Sequence, residues 1–150
     1  MTSSIDTARL VSAMGDAVIV TDAAGLICLW NPAAERIFGY SQQEAIGHSL
    51  DLITPERHRK RHWEGYHRTM ATGITKYGTD VLRVPATAKD GRPLSIAFTV
   101  ALLSGADGKP EAIAAVIRDE TERFQEERAL RKRVGELEAL VTPPLVRAGA

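Results

Sequence analysis

Three histidines lie within one predicted helix of this 150-residue chain, at positions His58, His62 and His67. His62 shares a helix face with Tyr66, because residues four apart lie one above the other. An imidazole that faces an apolar cavity can bind haem iron as an axial ligand. His62 is therefore the first candidate for a cofactor site, and Tyr66 is expected to line the same pocket. His58 and His67 are expected on the solvated polar face, and Trp63 on the side of the helix away from His62.

Other reactive side chains do not group into a recognised site. Cys28 is the only cysteine. It lies in an apolar predicted strand and is expected to be a small core residue. One cysteine and scattered histidines give no zinc spacing, and the sequence has neither a phosphate-binding glycine loop nor a nucleophile elbow. We therefore expect a protein that is not an enzyme.

The overall composition excludes several classes of partner. Nineteen basic and 19 acidic residues give a formal net charge of zero, and hydrophobic residues make up 44% of the chain. This balance argues against a nucleic-acid-binding surface. No window approaches the roughly 18 apolar residues that a membrane span needs. The single cysteine and the lack of a secretory segment favour the cytoplasm.

Periodicity and turn residues predict the elements that would position His62. Strands are expected at 16–21, 26–30, 75–86, 93–103 and 111–118, and the longer helices at 4–14, 56–72 and 119–141. Short helices are expected after Asn31, which can act as an N-cap before Pro32, and from Ser41, whose capping box ends at Glu44. Two strands followed by three, with helices between them, predict an α+β fold with a five-stranded antiparallel sheet and helices on one face.

Several of these motifs occur together in a known family. The stretch from Asn31 to Leu52, the Lys89-Asp90-Gly91 turn and the run from Arg118 to Thr121 resemble the signature of PAS domains, the small sensor modules of signalling proteins. The resemblance covers about residues 12–122. It implies a pocket between the sheet and the helices, coupled to a partner. The implied organisation is an N-terminal cap helix at 1–14, a PAS sensory core at 15–119, a C-terminal exit helix at 120–142 and a tail at 143–150.

The histidine-bearing helix is also similar to that of the rhizobial oxygen-sensing haem-PAS kinases. This resemblance places His62 at the proximal haem ligand and Arg68 at a propionate-binding position, with Lys76 at another. Phe98 and Val100 match apolar residues over the iron. The resemblance implies haem b as cofactor. Flavin is not expected, because the Asn-Cys-Arg context of the flavin photosensors is absent.

One position departs from the haem-PAS pattern. Leu82 occupies the place of the distal arginine that binds oxygen in that family, and Arg83 lies one residue away. A one-residue offset in a strand points a side chain to the other face of the sheet. An apolar distal side would suit the sensing of CO, NO or redox state. Tyr77 is a candidate replacement donor.

Two surfaces predict a homodimer. Ser95, Ala97, Thr99 and Ala101 would form a small-residue sheet face that the N-terminal helix covers in its own protomer or in a partner. In the exit helix, apolar residues spaced four, three and four apart form a narrow seam. The alternative is a monomer with two solvated cap helices. The downstream signalling protein is not identified by the sequence.

Three functions are compatible with these features. The first is a dimeric sensory PAS domain that binds haem through His62. The second is a ligand-free PAS module for dimerisation or docking. The third is a PAS pocket for a fatty acid or another apolar metabolite, whose carboxylate would meet Arg68 or Lys76.

Overall fold

The architecture comes from a computed structural model that describes residues 3–75 and 79–141. Lys76 and Tyr77 therefore lie outside the described residues, as does the predicted tail. The helices are α1 Thr7–Ala13, α2 Pro32–Phe38, α3 Gln42–Ala45, α4 Glu56–Thr72 and α5 Thr121–Val141, with a 3₁₀ turn at Leu50–Leu52. The strands are β1 Ala17–Asp22, β2 Ile27–Trp30, β3 Leu82–Thr87, β4 Pro93–Ser104 and β5 Pro110–Asp119.

The strands form one five-stranded sheet in the order β2-β1-β5-β4-β3. Every neighbouring pair is antiparallel. Hairpins join β1 to β2 and β3 to β4 to β5, and the last strand returns to pair with the first. The predicted α+β fold with a five-stranded antiparallel sheet is confirmed. The two halves of the chain meet at the β1–β5 pair in the middle of the sheet.

The capping residues fix where the short helices begin. The Asn31 side chain accepts a hydrogen bond from the Ala34 amide at 3.0 Å, as an N-cap does, and another from the Val18 amide at 2.9 Å. Both hydrogen bonds of the capping box between Ser41 and Glu44 are present. Both predicted caps are confirmed, and Asn31 also ties the start of α2 to β1.

Two predicted boundaries are wrong. The first helix begins at Thr7 rather than Ser4, because the Asp6 side chain caps it by accepting from the amides of Ala8 and Arg9. The third strand begins at Leu82 rather than Thr75, since Thr79–Val81 lie outside any strand. Asp80 in that segment is poorly suited to a strand.

The turn at 89–91 links separate parts of the fold. The Lys89 amide donates to the Phe38 carbonyl at 2.8 Å, and its ammonium forms an ion pair with Glu44. Hydrogen bonding from Lys89 lowers the pKa of Glu44 to about 2. Gly91 has φ of +86°, a conformation that glycine adopts without strain. These contacts hold the 89–91 turn against helices α2 and α3.

The core lies between the sheet and the short helices. Phe38 is fully buried, and its ring centroid lies 5.6 Å from that of Trp30. The buried sheet residues packed into this core are Ala17, Ile19, Ile27, Trp30, Ala86, Leu94, Ile96 and Ile117. They share the face that we call the inner face of the sheet. Burial of this apolar area is the main stabilising contribution to the fold.

The opposite face of the sheet carries the predicted small residues. Register places Thr99 beside Val116 and Ala101 beside Ala114, so these residues share one face as expected. Helix α1 is joined to the N-cap of α2 by a hydrogen bond from the Asn31 side-chain Nδ2 to the Val11 carbonyl at 3.0 Å. No α1 residue is buried. Val11 is half-buried and Leu10 is exposed, so the apolar side chains of α1 are only partly covered within the single chain.

The chain divides into two compact units at the bond between Asp119 and Glu120. The first unit contains the sheet and helices α1–α4, and the second contains α5. Within the described residues, no helix has both the length and the apolar character required to cross a membrane.

Candidate ligand site on helix α4

Tyr66 attaches α4 to the end of β1. The side chain is 6% exposed. Its hydroxyl donates to the Asp22 carbonyl and lies 3.1 Å from the Thr21 hydroxyl oxygen. Burial raises the pKa of Tyr66, so the phenol stays protonated. Tyr66 was predicted to line a pocket, and its polar atom is already used to hold the helix on the sheet.

Trp63 lies beside Tyr66 and covers the β1–β2 turn. The two ring centroids are 5.3 Å apart. The Trp63 indole nitrogen donates to Asp51 Oδ1 at 2.8 Å. A Cβ added to Gly25 would stand 2.5 Å from the indole ring. The prediction that Trp63 faces away from His62 is wrong, because Asp51 and the open space over Gly25 hold the indole on this side.

His62 stands next to this pair and is half-buried. Its ring centroid lies 5.0 Å from that of Trp63 and 6.2 Å from that of Tyr66. The Nδ1 atom is buried and has no hydrogen-bond partner among the described residues. Burial lowers the pKa of His62, and the Asp51 carboxylate opposes this by a smaller amount. The imidazole is therefore neutral near pH 7, which is the form that binds metals.

The other two histidines of α4 have different surroundings. His67 is exposed, as predicted. His58 is half-buried rather than fully solvated, and its Nε2 accepts a hydrogen bond from the Arg57 side chain at 3.1 Å. Arg68 is exposed. Among these three histidines, only His62 has a buried nitrogen without a hydrogen-bond partner among the described residues.

The predicted distal residues lie on the inner face of the sheet. Leu82 is directly opposite Phe98 in the β3–β4 pair, and Arg83 is opposite Ala97 on the other face. Val100 pairs with Ala115 two positions further along β4. The register thus bears out the expectation that Arg83 cannot take the place of Leu82. Leu82, Phe98 and Val100, the residues predicted to face a ligand on the inner face, are all apolar.

Sequence reasoning missed the residues that fix the position of His62. Asp51 and Gly25 hold Trp63, and Thr21 with the Asp22 carbonyl holds Tyr66. A polar Thr21 in an apolar strand was the available signal, because a buried hydroxyl requires a partner. Asp51 gave no comparable signal, since an acidic residue near a helix start is common.

Cys28 is not a core residue, which corrects the prediction. It is exposed, because Val20 pairs with Leu29 and Thr21 pairs with Ile27, so that Cys28 forms a β-bulge. Its thiol donates to the Val20 carbonyl at 3.4 Å. Partial burial and the Asp22 carboxylate raise the pKa of Cys28. A raised pKa disfavours the thiolate, so this cysteine is a weak nucleophile.

The donor chemistry of this site fits a single-histidine axial ligand for haem. His62 presents one half-buried, neutral imidazole, the type of donor that haem iron takes as an axial ligand. Its ring contacts are with Trp63 and with Tyr66, which is bound to β1, whereas the apolar Leu82, Phe98 and Val100 lie on β3 and β4. Within residues 3–75 and 79–141, no group of three or more histidine, cysteine or acidic side chains could hold a bare metal ion.

Comparison with known proteins shows which family this chain resembles. The family model described as the PAS fold matches residues 6–119. The chain is 32% identical over 123 residues to the sensor protein FixL of Bradyrhizobium diazoefficiens, and the match covers 81% of this chain and 24% of FixL. It is 26% identical over 120 residues to the oxygen sensor protein DosP of Escherichia coli, covering 80% of this chain and 15% of DosP.

A solved structure supports the fold independently. The PAS domain of a protein from Colwellia psychrerythraea matches with a TM-score of 0.68 and 22% identity, covering 77% of this chain and 95% of that chain. The chain spans less than a quarter of the length of FixL and DosP, so the resemblance concerns one domain of those proteins. The match to the family model, the order of the strands and these relatives show that the chain belongs to the PAS-fold family of sensory domains.

Proposed function

We propose that this PAS domain binds haem b through His62 and senses a gas or the redox state. The observation that carries the proposal is the half-buried His62 imidazole, whose Nδ1 atom has no partner among the described residues. Burial holds this imidazole neutral by lowering its pKa. An unsatisfied buried nitrogen is costly unless a ligand or water completes it.

The surrounding residues have separate roles in this proposal. His62 supplies the axial nitrogen, and Arg68 and Lys76 meet the propionates. Phe98, Val100 and Leu82 provide apolar surroundings. Trp63 and Tyr66 restrict the position of the imidazole through their contacts with Asp51 and β1. Bound haem would supply an iron site that binds diatomic gases or changes oxidation state.

Two relatives that share this domain support a sensory role. FixL is a sensor protein and DosP is an oxygen sensor protein. Leu82 stands where the haem-PAS kinases have their oxygen-binding arginine, and register places it on the inner face opposite Phe98. An apolar side chain there cannot donate a hydrogen bond to bound oxygen. We therefore propose CO, NO or redox state as the signal, with Tyr77 as the candidate polar donor.

The mode of action in this proposal is non-enzymatic and cytoplasmic. The domain would be a homodimer that passes the state of its ligand through α5 to a downstream signalling protein. A ligand can shift such an equilibrium only by binding one conformation more tightly than the other. Contacts between α4 and the β1–β2 turn, centred on Trp63, provide a physical connection between the ligand site and the sheet.

Absorption spectroscopy tests the haem proposal directly. The purified full chain should show a Soret band, as isolated or after addition of haemin, and the band should shift on reduction with dithionite and on addition of CO. His62→Ala should abolish the shift and the tight binding. His67→Ala is the matched control, because His67 is exposed on the same helix. A spectrum unchanged by haemin, or binding retained in His62→Ala, would overturn the assignment.

A ligand-free docking module is the second candidate function. It is favoured by the close packing of the core, where Phe38 and Ala34 are fully buried and Ile19 is nearly so. The third candidate, an apolar metabolite such as a fatty acid, uses the same inner face. Native mass spectrometry of the purified chain separates them, because a bound metabolite adds mass and a ligand-free module shows the mass of the polypeptide alone.

A further inference from the structure

The first two turns of α4 carry an unbalanced cluster of positive charge. Over Glu56–Thr72, α4 has five arginine and lysine residues against two glutamates, whereas α5 over Thr121–Val141 has five against five. Since the whole chain has a formal net charge of zero, the excess charge of α4 is a local feature. Arg57, Lys60 and Arg61 are exposed, and we call these three residues the basic patch.

The side chains of the basic patch lie on one face of the helix. Residues three and four apart on a helix are neighbours, so Lys60 and Arg61 both lie next to Arg57. The patch is short, because four residues of helix rise about 6 Å. Glu56 precedes it and Glu64 follows it, and both glutamates are exposed. The basic patch is therefore a compact cationic surface with an acidic residue at each end.

No acidic side chain neutralises the basic patch within the part of the chain that the structure describes. Arg57 donates from Nε to His58 Nε2 at 3.1 Å. Arg59, which lies between the patch residues in the sequence, is half-buried and donates to the carbonyls of Thr54 and Asp51 at 3.1 and 3.2 Å. Arg59 thus supports the fold, whereas the charges of the basic patch are left to solvent.

The basic patch is also placed where it should weaken α4. The amino end of a helix carries a partial positive charge, so a cation in the first turn is unfavourable. Arg57 lies in that turn, and like charges spaced three or four residues apart repel one another. Pro55 at the N-cap position makes no side-chain hydrogen bond that would offset this cost. Residues that break a local rule without a compensating contact are expected at functional sites.

We propose that the basic patch binds a short acidic segment of a protein partner. Arginine pairs with carboxylates through two parallel N–H···O bonds, and two of the three patch residues are arginines. The carboxylates of such a segment would offset the repulsion between the patch side chains. Glu56 and Glu64 would then face basic or polar residues on either side of the acidic segment.

The surroundings of the basic patch disfavour other polyanions. Helices that bind an anionic membrane surface add apolar side chains to basic ones, but the exposed residues beside the patch are Glu56, Glu64 and Gly65. A nucleic-acid strand presents a continuous line of phosphates, which the two glutamates would repel at both ends of the patch. The exposed positions from 56 to 65 also carry no aromatic side chain on which a base could stack. A short acidic protein segment meets neither obstacle.

This inference goes beyond the proposed function and does not depend on what the inner face binds. NMR of the isotope-labelled full chain tests the partner chemistry, with a peptide of three consecutive glutamates flanked by glycine and serine as the probe. The peptide should shift the amide signals of residues 56–64. A uridine oligonucleotide with the same number of charges, and phosphatidylglycerol vesicles, should act more weakly there. No shift from the peptide, or tighter binding of the oligonucleotide or the vesicles, would overturn the proposal.

Two triple variants separate the basic patch from the total charge. The patch variant replaces all three patch residues by glutamine. The control variant removes the same residue types from exposed positions on the charge-balanced α5, by Arg128→Gln, Arg131→Gln and Lys132→Gln. The Kd of the glutamate peptide should rise about tenfold or more in the patch variant and stay within about twofold of wild type in the control variant. Equal Kd values for the two variants would exclude the basic patch as the binding surface.

Thermal unfolding provides a measurement that does not need the peptide. The patch variant should unfold at a higher temperature than wild type, because glutamine has a similar helix propensity and relieves the repulsion at the start of α4. A patch variant less stable than wild type would show that the cations stabilise the helix, which contradicts the need for an external partner. None of these measurements uses the Soret band, so their failure is distinguishable from failure of the haem proposal.

Discussion

Replacing Gly25 by alanine should destabilise the protein by dislodging Trp63. Gly25 has φ of +84°, and a Cβ at this position would stand 2.5 Å from the indole ring. Gly47 provides the matched control, because its φ is also +84° and nothing lies within 4 Å of an added Cβ. Both Gly25→Ala and Gly47→Ala should lose about 1–2 kcal/mol from the left-handed backbone conformation.

The difference between the two variants measures the contact with Trp63. If the indole moves, its hydrogen bond to the Asp51 carboxylate is lost, which costs about 1.5–3 kcal/mol for a bond to a charged group. Gly25→Ala should therefore be less stable than Gly47→Ala by about that amount. Urea unfolding followed by circular dichroism measures both free energies of unfolding. The midpoint of thermal unfolding should fall by roughly 4 °C for each kcal/mol.

Repeating Gly25→Ala in a Trp63→Ala variant tests whether the contact with Trp63 causes the extra loss of stability. In a Trp63→Ala background the added methyl group of Gly25→Ala meets no ring, so its cost should fall to that of Gly47→Ala. Equal losses for Gly25→Ala and Gly47→Ala in the wild-type background would refute the reasoning. So would an unchanged penalty for Gly25→Ala after Trp63 has been removed, because the clash would then lie elsewhere.

Three further changes test the contacts around the site. Tyr66→Phe leaves the buried Thr21 without its phenol contact and should cost about 1–3 kcal/mol in urea unfolding. Asn31→Ala removes a cap and leaves a buried amide unpaired, so it should cost about 2–4 kcal/mol, against about 1 kcal/mol for the exposed cap Ser41→Ala. The pKa of His62 is lowered in the folded state, so the unfolded chain binds the proton more readily and stability should fall as pH drops below about 6.5. His62→Gln should flatten that dependence between pH 7 and 5, and an unaltered slope would contradict the assigned shift.

Local sequence patterns predicted most of the secondary structure. The caps at Asn31 and Ser41 and the glycine after α2 act through residues three or four positions away. The alternation along β4 predicted that Ser95, Ala97, Thr99 and Ala101 share one face, and the register confirmed it. The start of β3 escaped prediction, because the backbone at Thr79–Val81 leaves the sheet although β4 continues beyond Phe98, the partner of Leu82.

The candidate site was predicted only in part. His62 was selected by its helix face, and the structure adds that its Nδ1 atom is buried without a partner among the described residues. Leu82 and Arg83 were assigned to opposite faces from the two-residue period of a strand, which the β3–β4 register confirms. Cys28 was placed in the core because it lies in an apolar predicted strand. The bulge in β2 interrupts the period there and exposes the side chain.

The sequence by itself determined the fold class, the family and the helix that presents His62, since caps, turns and apolar periodicity depend on neighbouring residues. The tertiary structure decided which polar atoms remain available in that helix. Tyr66 and Asp22 lie 44 positions apart in the chain, yet their hydrogen bond occupies the phenol. Trp63 is held by Asp51 and by the space over Gly25. Such contacts form only when the sheet brings distant segments together, so no local pattern encodes them.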